Sequence, residues 1–171
     1  MDNSKVILVD EKDREIGTCE KLEAHQRGWL HRAFSIFIFN SKGEMLLQQR
    51  ALDKYHSPGL WTNACCSHPA PGENTELAAA RRLKEELGFT TQLEKLFDFV
   101  YKADFDNGLT EHEFDHVWAG EYDGQVHFNT GEVMDICWKD PRIVEQELAA
   151  DPSRFTAWFK IAFPKLNGRC R

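Results

Sequence analysis

The chain has 171 residues, of which 42% are hydrophobic, 12% aromatic and 29% charged. That length fits one globular domain, with enough chain to bury about 70% of its unfolded surface and so to build a core without staples. Its 21 Lys and Arg against 28 Asp and Glu leave a net charge of −7, which argues against a general nucleic-acid or anionic-membrane binder because phosphates attract the opposite sign. A small phosphorylated substrate stays open, since a few local basic side chains suffice for it. The longest apolar run near the N-terminus, Val6–Val9, is too short for a signal-peptide core or a membrane span. The cysteines, at positions 19, 65, 66, 137 and 170, form no CxxC pair. They are expected to be free thiols in a reducing, cytoplasmic setting, and a Cys65–Cys66 bridge is disfavoured by strain. Cys137 reads as core packing and Cys170 as part of a loose tail over about 164–171.

In chain order, the pattern predicts a strand at Val6–Asp10, a charged turn at Glu11–Arg14 and a helical turn at Lys21–Gln26. Ala33–Asn40 alternates in Phe and Ile, and Asn40–Gly43 is a hairpin turn into Glu44–Arg50. Trp61–Ser67 reads as extended, closed by Pro69-x-Pro71-Gly72. The clearest helix is Thr75–Leu87, with Thr75 as cap, Leu77, Ala80, Leu83 and Leu87 as its apolar face, and Gly88 at the left-handed stop. Strands follow at about Gln92–Ala103, Glu113–Tyr122 and Glu132–Trp138, then helices at Asp140–Ala149 and Arg154–Phe163, the second ended by Pro164. The expected class is α/β (α+β), with mixed β-sheets flanked by helices in a single domain.

Four groupings carry candidate chemistry. In extended chain, Cys66 and His68 project to one face; a buried cysteine beside a surface histidine is an equal alternative. Glu111 and Glu113 share a face by the same rule, and two adjacent carboxylates ask for a cation or a shared proton; two solvated glutamates are the plainer reading. His25 and His31, with His68 and the two glutamates, make a mixed nitrogen and oxygen set that suits Zn, Mn or Fe better than Mg. His56, His112, His116 and His127 read as structural or exposed. On the helix, Arg82, Glu85 and Glu86 share the polar side with Arg81 beside them, placed either to hold Mg²⁺ and a phosphate or merely to pair in solvent.

Ser67–Phe89 resembles a degenerate Nudix box, G-x5-E-x7-R-E-U-x-E-E-x-G-U, with Glu73, Arg81, Leu83, Glu85, Glu86, Gly88 and Phe89 in register. Ser67 replaces the opening glycine, and Arg82 replaces the glutamate that follows the arginine. That glutamate belongs to the metal and water cluster of the hydrolysing members, whereas an arginine suits a diphosphate. Trp61-Thr62-Asn63-x-x-Cys66-x-His68-Pro69 and Glu111-x-Glu113 resemble the type I isopentenyl-diphosphate isomerases. So do His25…His31-Arg32-Ala33-Phe34-Ser35, Gln49-Arg50-Ala51-x-x-Lys54 and Glu132-Val133-Met134-Asp135, over nearly the whole chain.

The resemblance implies a Nudix-like fold and a 1,3-proton shift between isopentenyl and dimethylallyl diphosphate in isoprenoid synthesis. It casts Cys66 and Glu113 as the acid/base pair, Tyr101 as the hydroxyl on the carboxylate, and Trp158 as the aromatic face for a carbocation. It implies one divalent ion (Mn²⁺, Zn²⁺ or Mg²⁺) on His25, His31, His68, Glu111 and Glu113, and a Mg²⁺ between Glu86 and the diphosphate. Lys21, Arg50, Lys54 and Arg82 would meet the phosphates. The expected partners are the two five-carbon diphosphates, with no nucleic acid and no membrane, in a monomer or weak homodimer. The competing readings are a Nudix-type diphosphate hydrolase, which leaves Cys66 without a duty, and a zinc-stabilised binding domain without turnover. The resemblance gives Cys65 no role.

Overall fold

A computed structural model describes residues 4–167. Strands β1 (Lys5–Val9) and β2 (Glu15–Glu20) form a hairpin whose turn is tied by Asp10, which accepts the Lys12 and Arg14 amides at 2.9 and 3.0 Å. β2 escapes the sequence pattern because as an outer strand it has no buried residue to impose alternation. Helix α1 (Lys21–Arg27) stops at Gly28, with φ 66°. β3 (His31–Phe39) and β4 (Met45–Arg50) follow, and Asn40 closes the turn between them by accepting the Lys42 and Glu44 amides. The expected strand at Trp61–Ser67 is two short pieces, β5 (Trp61–Thr62) and β6 (Cys65–Ser67). The break falls where the Asn63 side chain turns back to donate to the Ile36 and Cys65 carbonyls.

Helix α2 (Thr75–Leu87) has the expected length, but two details differ. Its cap is Asn74, whose Oδ1 accepts the Glu76 and Leu77 amides at 2.9 and 3.2 Å. Its buried face is Ala78, Ala79, Leu83, Glu86 and Leu87, while Leu77 is 68% exposed. Two small alanines let the helix lie close to the sheet. Gly88, with φ 80°, ends it, and a Cβ there would stand 2.5 Å from the His127 carbonyl oxygen. β7 (Glu94–Asp104), β8 (Thr110–Glu121) and β9 (Val133–Lys139) complete the strands. Helix α3 (Pro141–Ala150) is capped by Asp140, and α4 spans Ala157–Asn167. Pro164 lies inside α4 instead of ending it. It sits in the last turns, where the single intrahelical bond it forfeits is cheapest. Of the loose tail expected over about 164–171, residues 164–167 continue α4 instead, and the rest, with Cys170, lies outside the described residues.

The strands form one mixed sheet in which β3 is the hub: it pairs with β1, β4 and β6 antiparallel and with β8 in parallel. One core, around Phe34, Ile36 and Ile38, packs under α2; the other, around Phe37, Met45 and Leu47, packs under α3 and α4. Among the described residues, no helix is long and apolar enough to cross a membrane.

Candidate active site

The β3–β8 register sets His31 opposite Glu113, and the β3–β6 register sets Ser35 opposite Cys66. The alternation of β8 sends Glu111, Glu113 and Asp115 to one face, and all three are buried. Beside them lies a cavity of about 810 Å³, lined among others by Cys66, His68, Glu111, Glu113 and Trp158, and by Lys21, Arg50, Lys54, Arg82 and Glu86. These expected groups therefore border one space, while His25, His31 and Tyr101 lie outside its lining. Tyr101, opposite Glu113 on β7, places its hydroxyl 2.8 Å from Glu113 Oε2 and 3.0 Å from Glu111 Oε2, with one proton to share between them.

Cys66 and Cys65 diverge because successive strand residues face opposite ways. Cys66 packs on the α4 side: its thiol donates to Asn63 Oδ1 at 3.1 Å and receives the Trp158 indole N–H at 2.9 Å. Burial, with the Asp115 charge nearby, pushes this thiol far up, so it stays protonated at neutral pH. Trp158 meets the sulfur with its N–H edge, and the Arg50 guanidinium lies 5.3 Å from its ring centroid. Cys65 packs on the α2 side and donates to Glu86 Oε2 at 2.6 Å. Arg82 holds the other Glu86 oxygen at 3.2 Å, so both oxygens of this buried carboxylate have an assigned partner.

The His and Glu side chains converge at the edge of the cavity. His25, His31, His68 and Glu113 each offer a donor atom, all within 4.8 Å of one another, and a second such group is His25, His56 and Glu111. His31 Nδ1 donates to the Trp29 carbonyl at 2.9 Å, and neither His31 Nε2 nor His25 Nε2 has a hydrogen-bond partner. Burial lowers His25 to about 3 and His56 to about 2, which keeps both rings neutral and their lone pairs available. Burial and the neighbouring charge of Glu113 push the Glu111 carboxyl well up. Burial acts on Glu113 in the same sense, but the His31 and His68 imidazoles outweigh it and hold this carboxyl well below the usual range. Orphaned imidazole nitrogens facing two crowded carboxylates fit a divalent cation with mixed nitrogen and oxygen ligands.

The basic residues are less free than the sequence implied. Lys54 is ion-paired with Glu132, which also stands 3.8 Å from Arg82. Arg82 reaches Glu85 at 2.6 Å, while Arg81 forks onto Glu73 through two 2.8 Å contacts. Arg50 donates Nε to the Ser57 carbonyl and Nη2 to the His56 carbonyl, both at 3.2 Å. Lys21 reaches over the Tyr55 ring at 5.7 Å, and the Tyr55 hydroxyl pairs with His25 Nδ1 at 2.8 Å.

Sequence reasoning missed His56, Ser35, Asn63 and Asp115. Ser35 donates to Asp115 Oδ2 at 2.7 Å and lies 3.5 Å from Cys66, so a polar line runs from the thiol to β8. The third acidic residue in the period-2 series Glu111, Glu113, Asp115 was a readable signal for Asp115. Ser35 and Asn63 stand inside the motifs His31–Ser35 and Trp61–Pro69 without a role assigned to them, and no pattern marks His56.

A family model for the NUDIX domain matches residues 29–159. Among curated relatives, an isopentenyl-diphosphate Delta-isomerase of Burkholderia multivorans is 52% identical over 91% of this chain and 88% of its own length. One of Pectobacterium atrosepticum is 48% identical over 95% and 91%. Among solved structures, one from Deinococcus radiodurans superposes with a TM-score of 0.77 over 95% of this chain and 98% of its own. A MutT protein from Methanosarcina mazei gives 0.69 over 83% and 96%. Both are 19% identical to this chain and so speak to the fold alone.

Proposed function

Because the chain belongs to the isopentenyl-diphosphate Delta-isomerases and carries their NUDIX domain, we infer that it interconverts isopentenyl diphosphate and dimethylallyl diphosphate. The observation that carries this reading is the joint presence of Cys66 and Glu113 at one partly apolar cavity rimmed by basic residues. The reaction adds a proton at the terminal alkene carbon, makes a tertiary cation, and removes a proton from the carbon on its other side. One group donates and another accepts, and on reversal they exchange roles, so a protonated thiol and an ionised carboxylate form a complete pair. Tyr101 orients Glu113 and supplies the proton relay to it. Trp158 N–H fixes the Cys66 sulfur against the cavity, and its ring lends π density to the cationic centre. Burial by α4 keeps water from quenching that cation.

The diphosphate end is assigned to Lys21, Arg50, Lys54 and Arg82, whose charge-assisted contacts anchor it. Glu132 competes for Lys54 and Arg82, so these two change partner when the phosphates arrive. His25, His31, His68, Glu111 and Glu113 would hold one divalent ion, Mn²⁺, Zn²⁺ or Mg²⁺, and Glu86 would share a Mg²⁺ with the diphosphate. Such ions supply positive charge that lets the paired carboxylates coexist and lowers their proton affinity. The same reading takes the chain as a single domain over 1–171, a monomer or weak homodimer. Its expected address is the cytoplasm, consistent with free Cys19, Cys65, Cys66 and Cys137.

The test is incubation with isopentenyl diphosphate and Mg²⁺ in deuterated water. Deuterium-labelled dimethylallyl diphosphate is expected. Release of phosphate or pyrophosphate with no allylic product would instead establish a hydrolase.

A further inference from the structure

The fold brings His56 against Glu111 and near His25, although nothing in its sequence setting marks it. Its ring is held on several sides: it stacks on Phe105, with centroids 5.1 Å apart and planes 11° apart, and meets Tyr55 and Trp158 edge-on. So fixed, its Nε2 stands 3.4 Å from Glu111 Oε1. Two donors of one ion at metal–ligand distances of about 2.1 Å stand roughly 3 Å apart when adjacent and roughly 4.2 Å apart when opposite. The donor atoms of His25, His56 and Glu111 all lie within 4.8 Å of one another. A small contraction therefore brings them onto a common centre. Because His25 belongs to both donor groups, an ion held jointly by His25 and Glu111 has the His56 nitrogen beside it.

We propose that His56 is a further protein ligand of this metal centre, entering on the Glu111 side; the inference rests on the metal-centre reading above. Each carboxylate then has its own imidazoles: Glu113 Oε1 faces His68 at 3.1 Å and His31 at 3.5 Å, and Glu111 Oε1 faces His56. His56 adds a nitrogen donor on the Glu111 side, which favours ions that accept imidazole over Mg²⁺, an ion that prefers oxygen ligands and keeps its waters. His56 further links the two ends of the site, because its carbonyl accepts the Arg50 guanidinium at 3.2 Å.

The test is a Co²⁺ titration of the metal-stripped full chain against a competing chelator, with the visible absorption recorded. His56→Phe preserves the stack on Phe105 and deletes the nitrogens. It should bind Co²⁺ at least about tenfold more weakly than the native chain and display altered visible bands, while the stripped forms melt alike. Native uptake with unchanged affinity and bands in a folded His56→Phe overturns the proposal and leaves the metal-centre reading standing. A native chain that takes up no Co²⁺ overturns both. Should His56→Phe fail to fold, His56→Gln is measured under the same two criteria.

Discussion

Replacing Tyr101 by Phe removes one oxygen from a site where it touches both buried carboxylates. The hydroxyl lies 2.8 Å from Glu113 and 3.0 Å from Glu111, but it carries a single proton, so only one charge-assisted hydrogen bond is lost. Such a bond is worth about 1.5–3 kcal/mol, which corresponds to a rate loss of roughly 10- to 150-fold if it is fully felt at the transition state. Tyr101 is 5% exposed, and Phe fills the same volume, so a cavity contributes little to the loss. Steady-state turnover of isopentenyl diphosphate should fall by that factor in kcat, with KM near native, because the hydroxyl lies at the carboxylates and not at the basic rim. A Tyr101→Phe protein with native kcat, or one whose defect resides wholly in KM, would refute the assignment of this hydroxyl to the proton-transfer end.

Cys66→Ala should lower turnover by roughly 10²- to 10⁴-fold, the range of a general acid or base, with metal content and melting temperature near native; unchanged turnover defeats the isomerase mechanism. Arg82→Glu should raise KM for the diphosphate by about 10- to 150-fold, the worth of a charged hydrogen bond, and a loss confined to kcat would reject a phosphate role. The metal-stripped chain should lose stability as pH falls below 6.5. The unfolded His25 and His56 then take up protons that their folded forms, held near 3 and 2, refuse. At pH 4.5 this costs about 2–3 kcal/mol for each ring. Urea melts of the stripped chain between pH 7 and 4.5, alongside a His25→Ala/His56→Phe variant, check it: the variant should be markedly less pH-sensitive.

Much of this site was legible because strands advertise their faces. Glu111-x-Glu113 and Cys66-x-His68 each project one way by period alone, and the structure turns each pair as that rule says. What period could not disclose was which strands neighbour each other. The meeting of Ser35 with Asp115 and Cys66 depends on β6 and β8 flanking β3, a pairing over many residues that no local signal encodes. His56 was hidden for a related reason: it sits in a loop outside any strand, and only the closure of Phe105 and Trp158 around it makes it an interior residue. On α2, Leu83 and Leu87 face the core as expected, but Ala78 and Ala79 take the place of Leu77 and Ala80, because close approach to the sheet rewards small side chains over large ones. The charge balance at the rim also needed three dimensions, since Glu132 comes from the turn just before β9, far in sequence from the lysine and arginine it restrains.

The parallel alignment of β3 with β8 gives the enzyme an all-or-none character. Sliding β8 by a single residue against β3 would swing Glu111, Glu113 and Asp115 to the reverse of the sheet and present Phe114 and His116 in their place. A strand slipped in this way would carry no carboxylate at the cavity and so no partner for the Cys66 thiol. Turnover thus doubles as a gauge of correct strand pairing: any population that isomerises has, by that fact, found its native alignment.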